Sequence, residues 1–355
     1  MKIEIKNRLL QISWINWLGT WRRNIILRKY KIEELNLSEI KKQYICKTYR
    51  EVADKNIYYV IYENQPQGGL FVYLINICVQ IAYAEYKGYI PVIDMLNFSN
   101  NLCNSDQKGI NAWELYFKQP GGIGVQDVYG AANIVFCDEE KQKLFYVGDV
   151  DKEEVYNDYE IVIDEGKTFQ EWYQNEELLC RFQRFWKRNI KYSDFAGEYI
   201  EIQYKKLFDP KKRFLGLLCR GTDYISLQPK GHYIQPTVEM ILDKVLQIMA
   251  EYHCEYVFCA TEDESIYRKL KQNLGEKLIG LDVPRVRYRN GYLLNDLYNR
   301  QKMDKYKRQL DYLTELELLS RCQCLIAGKT TGSRFLPIMK DGQYEYLFYW
   351  ELGRY

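Results

Sequence analysis

The second half of the chain alternates short apolar runs with helical patterns, and this alternation constrains the fold more than any other feature. Apolar runs of strand length occur at residues 214–219, 255–260, 277–281, 322–327 and 345–349. Helix-period apolar positions separate them, for example between Val238 and Met249, just after Pro236, which favours a helix start. Strands that alternate with helices form parallel sheets, which bind ligands at the carboxyl ends of their strands. We therefore predict an α/β fold with a ligand crevice at that edge.

The first half carries the same signals more sparsely. Its apolar runs of strand length are residues 57–63, 89–94 and 132–137. A polar turn ends in Gly68 and Gly69 and is followed by a helical apolar stripe over residues 70–82. Pro91 favours an edge strand or a strand start, because proline donates no backbone hydrogen bond. A charged, aromatic and helical segment at 167–206 ends this half.

Length, charge and cysteine content exclude several protein classes. A chain of 355 residues fits two α/β domains better than one. Its 50 Lys and Arg nearly balance 48 Asp and Glu, so no global field attracts nucleic acid. The 10 cysteines form no CxxC pair, and the only histidines are His232 and His253, which argues against a zinc site or a disulfide framework. We expect a cytoplasmic protein without a metal or cofactor.

The N-terminal segment leaves two interpretations open. No apolar stretch approaches the roughly 18 residues of a membrane span. Trp14, Trp17 and Trp21 run into Arg22 and Arg23, a pattern that suits peripheral contact with the anionic inner face of a membrane. The same spacing also suits a helix that packs on the domain.

Polar, glycine-bearing junctions follow three strands of the second half. The candidate ligand residues there are Arg220, Thr222, Asp223, Thr261, Glu262, Asp263, Lys329, Thr330, Thr331 and Ser333. Arginine suits a diphosphate because its planar fork donates two charge-assisted hydrogen bonds, and backbone N–H groups at a helix start add donors. Alternatively, Arg220 pairs with Asp223 inside its own turn and the threonines only cap helices.

One apparent phosphate-binding motif fails on its spacing. Gly328, Lys329 and Thr330 resemble the end of an ATP-binding P-loop, but that motif requires a glycine at position 323, where the chain has Gln323. The preceding run is also strand-like rather than glycine-rich, so we reject this interpretation.

Four segments in order resemble the α-1,6-fucosyltransferase and protein O-fucosyltransferase superfamily. They are GGLFVYLINICVQIAYAEYKGYIPVID, FLGLLCRGTDY, VFCATEDESIYRKLK and ELELLSRCQCLIAGKTTGS, within residues 57–340. The stretches KGYIPVIDM, NAWELYF and RGTDY with PKGHYIQP look more specifically like bacterial proteins of capsule or surface-polysaccharide synthesis. This resemblance implies a GT-B fold, with two Rossmann-like domains at residues 1–206 and 207–355 facing a central cleft.

The resemblance also assigns roles by position. It implies that Arg220 holds the β-phosphate of the donor, that Glu262 and Asp263 order the site, and that Glu315 reads the guanine edge. A carboxylate at 315 can accept from guanine N1–H and from its amino group. The residues that it implies near the diphosphate are Gly68, Gly69, Thr330 and Thr331.

The chain departs from the family pattern at several positions. Leu218 replaces a usual histidine, Gly221 replaces a second arginine, and no glutamate stands at a clear general-base position. The candidates for the base are His232, whose ordinary pKa suits proton transfer, and Asp223. The candidates for the acceptor side are Asp94, Asn97, Asn111, Trp113 and Glu114.

The resemblance implies an inverting glycosyltransferase, and the sequence offers no convincing carboxylate metal motif, which is consistent with a metal-independent reaction. The expected donor is the nucleotide sugar GDP-fucose, and the expected acceptor is a glycan of a surface or capsular polysaccharide or a lipid-linked oligosaccharide. Two alternatives stay open: a transferase of the same fold that uses another nucleotide sugar, and a non-catalytic carbohydrate-binding protein.

Overall fold

The computed structural model describes two parallel α/β units. The described residues are 37–46, 55–63, 68–98, 100–104, 109–137, 173–287, 294, 297–298 and 301–355. The tryptophan-rich segment with Trp14, Trp17 and Trp21 lies outside them. Both sheets are parallel throughout, which confirms the predicted α/β class.

The N-terminal unit is a three-stranded sheet in the order β2-β1-β3. Its elements are α1 (Leu37–Cys46), β1 (Tyr58–Ile61), α2 (Leu70–Lys87), β2 (Ile90–Ile93), a 3-10 turn (Ala112–Leu115), α3 (Val125–Val128) and β3 (Ile134–Phe136). Pro91 lies on the edge strand β2, as predicted. Gly88 ends α2 with a φ of 70°, a left-handed conformation that glycine adopts without a steric cost.

Two helices connect the units, α4 (Glu176–Asn189) and α5 (Asp194–Leu207). They pack against the helices Leu336–Met339 and Lys305–Ser320 of the C-terminal half, respectively. The predicted domain boundary between residues 206 and 207 lies in the last turn of α5, and it stays a prediction.

The C-terminal unit is a five-stranded sheet in the order β6-β5-β4-β7-β8. Its strands are β4 (Phe214–Cys219), β5 (Tyr256–Thr261), β6 (Leu278–Ile279), β7 (Cys324–Ala327) and β8 (Tyr346–Tyr349). Its helices are α6 (Thr222–Leu227), α7 (Val238–Glu251), α8 (Glu264–Leu274), α9 (Lys305–Ser320) and α10 (Leu336–Met339), with 3-10 turns at Gly275–Lys277 and Gly332–Phe335. The strand order reverses between β4 and β7, and α/β sheets open a binding crevice at such a point.

An apolar core joins the two units. Phe71 at the start of α2 packs its ring against Tyr312 and Phe335, with centroids 5.5 and 5.3 Å away. The backbone N–H of Leu70 also donates to Gln309 Oε1 at 3.2 Å. The amino end of α2 is therefore fixed beside α9. None of the helices in the described ranges is both long and apolar enough to span a bilayer.

Candidate functional site

A cavity of about 370 Å³ lies at the carboxyl ends of β4, β5 and β7, where the strand order reverses. Arg220 follows β4, Glu262 follows β5 and Thr330 follows β7, and all three line it. Gly69 at the amino end of α2 and Glu315 on α9 also line it. The parallel topology thus brings together the strand ends that the sequence predicted to meet.

Arg220 is held by two carboxylates at the cavity wall. Its Nη2 donates to Asp223 Oδ1 at 3.0 Å, and its Nε lies 3.6 Å from Glu262 Oε1. The guanidinium also lies 4.9 Å from the ring centre of Tyr224. Burial alone would lower the pKa of Arg220, but Glu262 and Asp223 raise it above its ordinary value. Arg220 pairs within its own turn and still faces the cavity as a fixed cation.

The acidic pair orders the turn that carries this arginine. Glu262 Oε1 accepts from the Gly221 N–H at 2.8 Å and from Thr222 Oγ1 at 3.0 Å. Asp263 Oδ2 accepts from the Thr222 N–H at 2.9 Å, while its Oδ1 caps α8 through the Ser265 N–H at 2.8 Å. Thr222 has a φ of 47°, a strained conformation that these bonds stabilise. Thr222 and Asp263 therefore support the site from behind and do not line the cavity.

Gly221 has a steric reason to be glycine. A Cβ atom there would lie 2.5 Å from Asp263 Oδ2 and 2.7 Å from Ile266 Cδ1. No side chain fits without displacing the acidic pair. The second arginine of the family pattern is therefore incompatible with this turn.

Glu315 supplies a buried acceptor without a partner. Only 7% of the residue is exposed, and among the described residues no donor reaches its Oε1. Burial raises the pKa of Glu315 to about 8, although Arg285 opposes the shift. An unsatisfied buried oxygen costs free energy, so a ligand with N–H donors is favoured at this end of the cavity.

The loop after β7 contributes backbone and hydroxyl groups. Thr330 and Thr331 line the cavity, as does Thr261 at the end of β5. Ser333 instead fixes the loop, because its Oγ accepts from the Thr330 N–H at 2.9 Å and its own N–H donates to Thr330 Oγ1 at 3.1 Å. Lys329 is buried, pairs with Glu351 and does not line the cavity. Its predicted role at the phosphates stays a prediction.

The amino end of α2 also lines the cavity. Gly69 is the N-cap of this 18-residue helix and lines the cavity. Its lack of a side chain leaves the Leu70 N–H to donate to Gln309 Oε1. The positive end of the helix dipole therefore faces the cavity, where it favours an anion. Gly68 lies outside the lining, and a Cβ there would meet the Tyr73 ring at 2.7 Å.

The two candidate bases differ in their surroundings. His232 is exposed and lies outside the cavity lining, with its ring 5.0 Å from that of Tyr224, which does line it. Both carboxylate oxygens of Asp223 are engaged, because Oδ1 accepts from Arg220 and Thr222 while Oδ2 accepts from the backbone N–H of residue 294 at 3.1 Å. These bonds give Asp223 a positioning role for Arg220.

The acceptor-side candidates form a structural network in the N-terminal unit. They are Asp94, Asn97, Asn111, Trp113 and Glu114. Asp94 is fully buried and accepts from the Tyr44 hydroxyl at 2.7 Å. Trp113 is also fully buried, and its Nε1 donates to the Lys118 carbonyl at 3.1 Å. The contacts of these two side chains serve the fold of this unit.

Two ionisable residues of interest were missed by the sequence analysis. Arg308 lines the cavity from α9, on the same helical face as Tyr312 and Glu315. Glu63 follows β1, is buried, and has its pKa raised to about 7 by that burial. Glu63 lies outside the cavity lining. Like Arg220, it is a polar residue just after a strand, and this position could have identified it from the sequence.

In the described part of the chain, no three His, Cys, Asp or Glu side chains are grouped to hold a metal ion.

Comparison with known proteins gives similarities in structure only. No protein-family model matches the sequence, and no characterised relative matches it. The chain is similar to a NodZ α-1,6-fucosyltransferase co-crystallised with GDP, at 15% identity over 81% of this chain and 93% of that one, with a TM-score of 0.44. It is also similar to fucosyltransferase NodZ from Bradyrhizobium, at 14% identity over 81% and 94%, with a TM-score of 0.43. A further match is POFUT1 in complex with GDP, at 12% identity over 84% and 99%, with a TM-score of 0.45. At these values, the function of this chain has to be inferred from its own residues.

Proposed function

We propose that this chain is a glycosyltransferase that moves fucose from GDP-fucose to a hydroxyl of a glycan acceptor. The observation that carries the proposal is a cavity lined by both a fixed cation, Arg220, and a buried acceptor, Glu315, whose Oε1 no donor reaches among the described residues. A guanosine diphosphate offers both complements, since its diphosphate is anionic and its guanine edge presents N–H donors.

The diphosphate end accounts for catalysis. As the bond to the anomeric carbon breaks, negative charge builds on the β-phosphate, so groups that bind this charge stabilise the transition state more than the ground state. Arg220 and the amino end of α2 are aimed at the same cavity and supply such groups. We propose that they replace a divalent cation, and that the reaction proceeds with inversion by direct attack of the acceptor.

The guanine end accounts for donor choice. Guanine presents N1–H and an amino group side by side, and an ionised carboxylate can accept from both. Uracil offers one N–H beside a carbonyl, which fits the ionised carboxylate less well. Fucose itself is proposed from the four ordered motifs, and the surface-polysaccharide glycan from the resemblance of KGYIPVIDM and NAWELYF.

The proton acceptor is proposed from position and chemistry. His232 lies beside Tyr224, a residue that lines the cavity, and the centres of the two rings are 5.0 Å apart. A neutral imidazole can accept the proton of the attacking hydroxyl. His232→Gln should then lower kcat by at least about 100-fold. The matched control is His253→Gln, an exposed histidine in the turn before β5. A His232→Gln variant with the wild-type kcat would remove this residue from the role.

Two observations favour a non-catalytic carbohydrate-binding protein as the second candidate. Both oxygens of Asp223 are occupied, and the turn at Gly221 excludes a second arginine. Such a protein would bind the nucleotide sugar or glycan without turnover.

Release of GDP decides between these candidates. The protein should be incubated in EDTA with GDP-fucose and a panel of oligosaccharide and lipid-linked acceptors, with GDP-mannose and UDP-glucose as donor controls. We expect GDP release from GDP-fucose that depends on acceptor. Binding of GDP-fucose without release would support the non-catalytic candidate, and release from UDP-glucose alone would contradict the guanine assignment.

A further inference from the structure

Arg308 lines the proposed donor cavity and lies on the same helix, α9, as Glu315, the proposed guanine-binding residue. Tyr312 and Glu315 follow it by four and seven residues on α9, and all three line the cavity. Seven residues of helix span roughly 10 Å. Arg308 is therefore displaced from Glu315 along the helix by about the length of a nucleoside rather than standing beside it.

The guanidinium of Arg308 lacks a counter-charge among the described residues. It lies 4.4 Å from the ring centre of Tyr298, and its buried Nη2 atom has no hydrogen-bond partner. The acidic side chains nearest along its helix are committed elsewhere: Asp311 binds Tyr199 and Lys307, and Asp304 caps α9 through the Lys307 N–H. Burial without a carboxylate lowers the pKa of Arg308 below its ordinary value. An anion beside it would relieve this cost.

Arg220 and the amino end of α2 leave part of the charge of a diphosphate unbalanced. The charge of Arg220 is already offset by Asp223 and Glu262, whereas a diphosphate brings at least two negative charges. A second cation would balance more of this charge, and Gly221 has no room to carry one. Arg308 is the cavity-lining cation that no carboxylate engages within the described ranges.

We propose that Arg308 is the second cation of the donor site, and that its guanidinium binds a diphosphate oxygen of the same nucleotide that Arg220 holds. The proposal rests on the proposed function in one respect, that the cavity takes a nucleoside diphosphate. In this arrangement α9 binds the nucleotide at two positions, the base through Glu315 and the diphosphate through Arg308. Arg308 on α9 would thus supply the second positive charge that is missing at Gly221.

Calorimetric titration of Arg308→Met with GDP, guanosine and inorganic pyrophosphate tests this role. Methionine keeps an unbranched apolar side chain over Tyr298 and removes the charge. We expect GDP and pyrophosphate to bind about 10- to 100-fold more weakly, since hydrogen bonds between charged groups contribute on this scale. Guanosine should bind as it does to the wild type, and Arg308→Lys should recover part of the loss. The matched control is Arg287→Met, an 81% exposed arginine side chain paired with Glu264 outside the cavity lining.

The melting temperature of the free protein separates binding from a structural role. Arg308→Met removes a half-buried charge that no described carboxylate pairs with, so the free variant should melt at or above the wild-type temperature, while its shift with GDP shrinks. A lower melting temperature together with equal losses for guanosine and GDP would assign Arg308 to the fold and overturn the proposal. Unchanged binding of all diphosphates would also overturn it.

The two proposals fail differently. If the wild type binds UDP or pyrophosphate but not GDP, and Arg308→Met loses that binding, the guanine assignment is wrong and the role of Arg308 stands. If the wild type binds no diphosphate at all, both proposals are wrong.

Discussion

The protonation of Glu315 should make GDP binding depend on pH. Its pKa is raised to about 8 by burial, so at pH 6 to 7 the free protein holds a neutral carboxyl in the cavity. The stability that the protonated Glu315 contributes to the free protein is fully present below pH 4.5, the ordinary pKa of a glutamate. It is lost as the pH rises towards 8. Guanine needs the ionised form, because both of its edge groups are donors. Binding must therefore release a proton below pH 8.

The size of the effect follows from this pKa. With a value of about 8, roughly 1% of Glu315 is ionised at pH 6 and about half at pH 8. GDP affinity should therefore rise about 50-fold, or about 2.3 kcal/mol, between these pH values and change less than about twofold above them.

Calorimetry at pH 6, 7 and 8 in buffers of different ionisation enthalpy measures both the affinity and the proton release. Glu315→Gln should bind GDP at least about tenfold more weakly than wild type at pH 8, with no dependence on pH from this position. UDP should not gain affinity with pH, because a neutral carboxyl matches the N–H and carbonyl of uracil. A wild-type GDP affinity that is flat from pH 6 to 8 would refute the reasoning, as would an equal rise in Glu315→Gln.

Three further predictions concern the turn and the buried acids. Arg220→Lys keeps the charge but loses the fork, so transfer in EDTA should fall by about 100- to 1000-fold; an active variant would place phosphate binding elsewhere. Gly221→Ala should lower the free energy of unfolding by about 1 to 3 kcal/mol in urea, because the new Cβ meets Asp263. Its control, Gly197→Ala in helix α5, meets only a Cβ at 3.7 Å and should not destabilise. Because the pKa of Glu63 is raised from 4.5 to about 7, wild type loses up to about 3 kcal/mol as the pH rises through that window. Glu63→Gln does not titrate there, so the free energy of unfolding of the variant minus that of wild type should increase between pH 5 and pH 8. A difference that stays constant over this range would contradict the prediction.

The fold was largely predictable because parallel sheets leave strong local signals. The run at 214–219 is β4 itself, and the helical stripe from residue 70 opens α2. The run at 277–281 gives only the two-residue β6, since an apolar run does not show where its neighbour stops pairing. Topology then placed the strand ends, and with them Arg220 and Glu262, at one edge.

The remaining parts of the site depend on contacts that sequence spacing does not show. Arg308 on a helix looks like a solvated surface cation, and only the packing of α9 against the N-terminal unit reveals it in the cavity wall. Lys329 looks like a phosphate ligand beside two threonines, but its partner Glu351 lies 22 residues away. The occupied oxygens of Asp223 likewise depend on the backbone of residue 294.

The most direct test of the central claim is a crystal structure of the protein with GDP. The guanine N1–H and amino group should lie about 3 Å from the Glu315 carboxylate, with a β-phosphate oxygen about 3 Å from the Arg220 guanidinium. An empty cavity at saturating GDP, or a nucleotide bound elsewhere, would contradict the account.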